Sequence, residues 1–533
     1  MRFWHPKSQL GLWMRFLAAA VIVITVVAAA TAVAGLLQVQ NVVNTLNLQP
    51  GIKSKYIKVP APGAPQTILL IGSDHRAGES FMDANTDTML LVRLNAASST
   101  INVLSIPRDL QVNVPGYGVE KINAAYSQGG YNLLIQTIQQ QVFPKFAPDH
   151  IVDVNFQGFS DLVDAIGCVY SDVDHRYYNV SQPAPSPDNF SSIDIQPGYQ
   201  KLCGDNQSVT GALPFVRFRH TDSDLTRNAR QQDFLRWAKE QYPLSEALSN
   251  EKRLLTILSK HSQSDTKLHS LHGLLSLGNT LLNMNGASIK QVTFPAQFLP
   301  CSSTATVTAA AAAAAACYVA PTSTAAVNAA WDRFMAVTPQ PKPKSSSSNS
   351  TSPTKRRPAS QKLNTQGLTA DLNDGRLQTA ALDKVKMPIY FPKYVLPNAS
   401  GQPPYCSATV ANCNDGEEPA SAYLHSYPRG YIIRDQQGHP HAAYRMTLVL
   451  NYIQGWLYGV QGTTWKNPPL LASPSGTTTV NGKKLYLYKD GSRLTTVAWH
   501  HDGDSFWISN TLASLIPNRE MIAMAASLTQ GRA

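Results

Sequence analysis

The chain has 533 residues and a formal net charge of +11 at neutral pH. That length exceeds what one hydrophobic core organises, so two or more domains are expected. The charge admits an anionic partner. The absence of a basic helix or an aromatic–basic ladder argues against nucleic acid and leaves anionic lipid, phosphorylated lipid or wall polymer.

Phe16 to Leu37 is almost purely apolar and uncharged, which is long enough to span a bilayer. Arg2, Lys7 and Arg15 precede it, and the next basic residue is Lys53. The positive-inside rule then predicts a cytoplasmic tail over 1–15, a transmembrane helix over 16–37 and everything later outside the cell membrane. A cleaved signal peptide is the rival reading, with Ala29 to Ala34 as a small-residue site, but the span is long for one. All six cysteines follow the anchor, which reads as disulfides in an exported segment. Sequential pairing is the simplest: Cys168–Cys203, Cys301–Cys317 and Cys406–Cys413. Paired CxxC spacing is lacking, so a metal site is the weaker reading.

Residues 67–108 hold three apolar runs of strand length, TILLIGSD, TDTMLLVRLN and INVLSIPRD, bounded by turn residues. Their ends carry Asp74 and Arg76, then Asp87, then Arg108 and Asp109. Strand ends would gather these charges at one sheet edge, where a hard cation and a guanidinium fork could hold a pyrophosphate. Residues 122–142 read as a helix broken at Gly129–Gly130, with Asn123 as its cap and Lys121 as a surface charge. HIVDVNF is a strand, residues 158–166 a short helix and residues 168–173 a strand. Residues 174–197 read as a surface loop. Helices are predicted over 208–219 and 226–242, a mostly helical stretch over 254–284, and a strand over 289–294. This alternation predicts a three-layer α/β/α domain over 41–337.

A second charged cluster, RFRHTDSDLTRNARQ, supplies Arg217, Arg219, Arg227 and Gln231. Arg227 and Gln231 lie four apart, on one helix face. Arginine rather than lysine suits bidentate oxyanion binding; a solvated helix hairpin is the bland alternative. Residues 338–381 are expected to form a Pro/Ser/Lys-rich linker. A separate, smaller α+β domain follows over 382–533, with Asn481–Gly482 and Asp502–Gly503 as hairpin turns. His500, His501, Asp502 and Asp504 sit around one of those turns and read as solvated turn residues rather than a metal site.

In combination, LLIGSDHR, DTMLLVRL, SIPRD, KINAAYSQGG, VDVNFQGFSDLVDAIG and VRFRHTDSDLTRNARQQDF resemble, in order and spacing, the LytR–CpsA–Psr family of cell-wall ligases. The resemblance covers residues 66–240 distinctively. It implies a membrane-anchored phosphotransferase that moves a glycopolymer from a polyprenyl-pyrophosphate carrier to peptidoglycan through a phosphodiester. The lipid tail would lie in an apolar tunnel beside the 122–142 and 254–284 helices. Carried over, Asp74 and Asp87 would hold Mg²⁺ and act in catalysis with Arg108, and either aspartate would serve as base. Arg76, Arg108, Arg217, Arg219, Arg227 and Gln231 would bind the pyrophosphate. Asn85 stands where the family often has arginine, so one phosphate contact is either lost or supplied by Arg76 or His75. A polyprenyl-pyrophosphate hydrolase and a non-catalytic envelope-binding or regulatory protein are the competing functions.

Overall fold

The computed structural model describes residues 44, 51–58, 60–61, 63–73, 86–179, 193–204, 209–218, 224–242, 250–284, 287–299, 318–336, 361–397, 428–451 and 455–531. The expected tail and transmembrane helix, most of the linker and the cysteines at 301, 317, 406 and 413 lie outside them. Among the described residues no helix is long and apolar enough to cross a membrane.

The first sheet begins with a meander of β1 (Gln66–Ser73), β2 (Thr86–Asn95) and β3 (Thr100–Ser105). A small hairpin, β4 (Gln111–Val114) and β5 (Gly118–Lys121), leads into α1 (Ala124–Gln141). Then come β6 (His150–Asn155), α2 (Phe156–Ala165), β7 (Val169–Val173), β8 (Tyr177–Asn179), β9 (Ile193–Ile195) and β10 (Gly198–Leu202). The helical half contains α3 (Ala212–Arg217), α4 (Asp224–Gln241), α5 (Glu251–His261), β11 (Ser262–Ser264), α6 (Leu271–Leu282) and β12 (Ser288–Val292). It closes with β13 (Ala296–Leu299), β14 (Tyr318–Pro321) and α7 (Thr324–Met335). The six-stranded order is β11-β6-β1-β2-β3-β12, with β6 parallel to β1 and β12 parallel to β3.

Both faces of this sheet are covered, because successive residues of a strand point to opposite sides. Leu69, Ile71, Met89, Leu91 and Leu104 are buried against Leu134, Ile135 and Ile138 of α1 and Trp331 and Phe334 of α7. Leu90, Val103 and Ile289 turn the other way, toward Leu235 of α4. Leu94 and Met284 continue that face with Leu277 and Leu281 of α6. The second face is looser: Ile68, Leu70, Val92 and Ile101 are only partly buried there. Expectation and structure differ here, since α1 fills the tight face and cannot wall a crevice on the loose one. The break in α1 is as expected, with Gly129 and Gly130 both non-helical and Gly130 at φ +64°.

Three further expectations change. The 174–197 stretch is no plain surface loop, because β8 and β9 pair within it and bury Tyr177, Ile193 and Ile195. The 254–284 stretch is cut at Ser262–Ser264, which adds an edge strand to β6. The expected linker does not reach 381. Residues from 361 on are structured, with β15 (Thr369–Ala370) and α8 (Leu372–Ala380) packed so closely that a Cβ on Gly375 would collide with Phe391.

The C-terminal part continues with β16 (Tyr390–Pro392), β17 (Tyr394–Val395), β18 (Arg429–Arg434), β19 (Pro440–Asn451), β20 (Trp456–Thr463), β21 (Gly476–Val480), β22 (Lys483–Asp490), β23 (Arg493–His501), β24 (Asp504–Ser509), α9 (Asn518–Ala526) and β25 (Leu528–Gln530). Seven of these strands form one antiparallel sheet, β18-β19-β20-β24-β23-β22-β21. Asn481–Gly482 and Asp502–Gly503 turn it with positive φ at both positions of each pair, the backbone a two-residue hairpin needs. One face packs on Met521 and Met524 of α9. The other is not separate from the first domain. Trp507, Ala498, Tyr488, Ala443 and Ile433 share one core with Tyr170, Tyr199, Phe215 and Trp237. Inside that seam Arg445 donates from Nη1 to Asp172 Oδ1 at 2.7 Å, and both side chains are nearly inaccessible.

Candidate anion-binding site

Asp87 is the second residue of β2, and its carboxylate meets two guanidinium groups from distant segments. Arg108, just beyond the end of β3, donates from Nη1 to Asp87 Oδ1. Arg217 closes α3 and brings Nη2 to 3.5 Å from Asp87 Oδ2. The Arg217 guanidinium carbon also lies 3.9 Å from the centre of the Phe156 ring, a cation–π contact. These side chains keep solvent access, 23% for Arg108, 27% for Arg217 and 15% for Asp87. An oxyanion arriving from solvent can therefore reach both forks and displace the carboxylate between them.

Helix α4 supplies the next layer. Gln231 donates from Nε2 to Thr88 Oγ1 at 2.9 Å and to the Val216 carbonyl at 3.1 Å, so it ties α4 to β2 and to α3. Arg227 is one turn earlier on the same face and is 2% exposed. Arg230, fully buried, stacks on Tyr177 and donates to the Phe218 carbonyl. It holds the corner between α3 and α4 rather than facing the opening. Of the expected set, Asp87, Arg108, Arg217 and Gln231 are thus brought together at the strand ends, with Arg227 beside Gln231. Asp74, Arg76, Asn85 and Arg219 lie outside the described residues.

Two supporting networks were not legible beforehand. Lys121 is no plain surface charge: its Nζ lies 2.9 Å from the buried Asp109 Oδ1, which is also 3.8 Å from Arg108 Nε. Asp109 thereby steadies Arg108 from behind. Asn123 stands at the start of α1 but makes no side-chain cap bond. Under the end of β1, Asp153 accepts hydrogen bonds from Ser73 Oγ at 2.7 Å, Tyr126 at 2.9 Å and Tyr131 at 2.8 Å. Burial first, and then the Asp153 charge, hold the Tyr131 phenol far above its usual pKa. This anchor ends β1 immediately before position 74. The only sequence signal for it was the pair of tyrosines five apart across Gly129–Gly130.

Cys168 and Cys203 are disulfide-bonded, with Cα atoms 4.4 Å apart. Asp164 lies beside them, and no other group of three metal-ligating side chains occurs among the described residues. With both sulfurs bonded to each other, that group is not a metal site. His501 approaches the exposed Asp502 at 3.3 Å and the edge of the Tyr390 ring, while His500 meets Ser505.

A partly exposed arginine fork held by a carboxylate thus lies at the strand ends of a mixed α/β sheet, an arrangement that can hold an oxyanion. The LytR_cpsA_psr family model matches residues 28–325, and the chain belongs to that family. It is 31% identical over 235 residues to the polyisoprenyl-teichoic acid–peptidoglycan teichoic acid transferase TagT of Bacillus subtilis (strain 168), covering 43% of this chain and 70% of the relative. It is 35% identical over 179 residues to the probable cell wall biosynthesis protein LcpB of Corynebacterium glutamicum, covering 31% and 39%. Among solved structures, TagV of B. subtilis matches with a TM-score of 0.38 and 22% identity over 51% of this chain and 96% of that one. A LytR-Csp2A-Psr enzyme from Actinomyces oris matches with a TM-score of 0.37 and 16% identity, covering 52% and 95%.

Proposed function

We propose that this protein is a glycopolymer transferase that moves a glycan from a polyprenyl-pyrophosphate carrier onto peptidoglycan, working from the outer face of the membrane. The observation that carries this is the pair of guanidinium groups, Arg108 and Arg217, held open around Asp87 at the strand ends. The similarity to teichoic acid transferases such as TagT supports the same reaction class. In this reading the pyrophosphate takes over the two arginines, with Arg227 and Gln231 closing from α4, and Arg76 and Arg219 completing the set. A sugar hydroxyl of the acceptor attacks the glycan-bearing phosphorus. The new P–O bond forms as the bridging P–O bond breaks, and polyprenyl phosphate leaves. The hydroxyl proton passes to a carboxylate, Asp87 or Asp74. Preorganised positive charge lowers the barrier by stabilising charge that develops on the transferred phosphoryl group.

Mg²⁺ fits this donor set as a proposal. Asp87 offers hard carboxylate oxygens that the substrate would release from the arginines, and Asp74 would be its partner ligand. A bound Mg²⁺ would supply further charge neutralisation at the pyrophosphate. The lipid tail would follow the loosely packed second face of the sheet, past Leu70, Val92 and Ile101. The test is incubation of the purified protein with lipid-linked glycan, Mg²⁺ and peptidoglycan chains. A covalent glycan–peptidoglycan conjugate supports transfer, whereas free phosphate-ended glycan would make the protein a hydrolase.

A further inference from the structure

A cavity of about 280 Å³ opens along α4, on the face next to the one that carries Arg227 and Gln231. Its walls come from both halves of the chain: α4 and the strand ends of the first domain, and the turns beside Trp456 and Leu512 of the C-terminal sheet. None of its lining side chains is ionisable. Asn228 and Gln232 line it from α4 and are 6% and 5% exposed. Ser105 lines it too. Ser105 is 2% exposed, and its Oγ has no hydrogen-bond partner among the described residues. A buried hydroxyl without a partner is costly and calls for one.

These features select a ligand. The lack of charge disfavours a phosphate or a carboxylate. Side-chain amides both donate and accept, as a hydroxyl-bearing ligand requires. The Trp456 indole offers a broad apolar face that can also tolerate a wet edge. We infer that the cavity is a subsite for one uncharged sugar residue of a glycan. Its position fits that role. Asn228 and Gln232 each follow the residues, Arg227 and Gln231, assigned to the phosphate side of the same two helical turns. Ser105 lies across from Leu90, two residues along β2 from the Thr88 that receives Gln231. A glycan seated here would have its next units beside the arginine fork, and this sugar would be read by a wall that the C-terminal sheet contributes.

The test uses binding rather than transfer, so it stands or falls independently of the proposed reaction. The full chain in detergent is titrated calorimetrically with chitotetraose, with maltotetraose, with geranyl phosphate and with inorganic pyrophosphate. Trp456→Ala removes the aromatic wall, and Ala229→Phe fills the cavity from α4. Saturable binding of one of the oligosaccharides is expected, weakened at least tenfold in both variants, while inorganic pyrophosphate binds all three proteins within twofold. Chitotetraose preference would point to an amino-sugar backbone, and maltotetraose preference to a hexose polymer. The inference is overturned if the parent binds neither oligosaccharide, if both variants bind as the parent does, or if geranyl phosphate is the ligand whose binding Trp456→Ala and Ala229→Phe abolish.

Discussion

Asp87 is the residue on which the site turns, because its two oxygens hold the two arginines that would otherwise repel each other across the opening. Arg108→Ala removes charge-assisted bonds worth on the order of 1.5–3 kcal/mol each to a bound phosphate. Glycan transfer should slow by about tenfold to a hundredfold or more, with thermal stability little changed. Asp87→Asn keeps the shape but not the charge. Transfer should fall and its dependence on Mg²⁺ should weaken, read from a titration of the metal; an unchanged metal profile would remove Asp87 from the metal role. Arg108 and Asp87 were legible in the sequence because charged residues crowd the ends of apolar runs, and Arg217 and Gln231 because an arginine-rich stretch with helix-face spacing suits an oxyanion. Lys121–Asp109 and the Asp153 anchor were not. Their partners depend on strand and helix register, and Tyr126 and Asp153 are 27 positions apart.

Helix α4 is the element that links site to scaffold. Its first half carries Arg227 and Gln231, and its middle carries Asp233 and Arg236, which are 2.8 Å apart. Gln291 donates from its backbone N–H to Asp490 on β22 at 3.0 Å and from its side-chain Nε2 to Asp233 at 3.0 Å. Burial pushes the Asp490 carboxyl up to about 6, with Arg236 opposing and the Asp233 and Glu240 charges adding to the rise. A carboxyl raised on folding favours the protonated folded state. Its contribution is therefore complete below about pH 4 and is lost as pH rises through about 6. Asp490→Asn should flatten that part of the stability profile by on the order of 1 kcal/mol, measured as unfolding midpoints between pH 4 and 7. An equal slope in parent and variant would assign the pH dependence elsewhere. The long elements were readable from their periodicity. The strands β8, β9 and β11 were not, because three residues in a polar context carry no period, and only their pairing partners identify them.

At the scale of the molecule, the C-terminal sheet is part of the first domain's core, a relation that a Pro-rich stretch at 338–360 concealed in the sequence. Asp172→Ala would leave the buried Arg445 charge without its paired carboxylate, a change worth roughly 3–5 kcal/mol in comparable seams. The denaturation midpoint should drop accordingly, and proteolysis between the halves should become easier. A reporter fused after residue 45 should be active only outside the cell, as the uncharged 16–37 stretch behind Arg2, Lys7 and Arg15 predicts. The central claim is tested most directly by a single transfer assay on the purified protein. Lipid-linked glycan, Mg²⁺ and peptidoglycan chains are combined, and the products are resolved by mass. The account predicts a phosphodiester-linked glycan–peptidoglycan conjugate that Arg108→Ala suppresses. Free phosphate-ended glycan alone, no turnover of the lipid-linked donor, or a conjugate formed equally well by Arg108→Ala would contradict it.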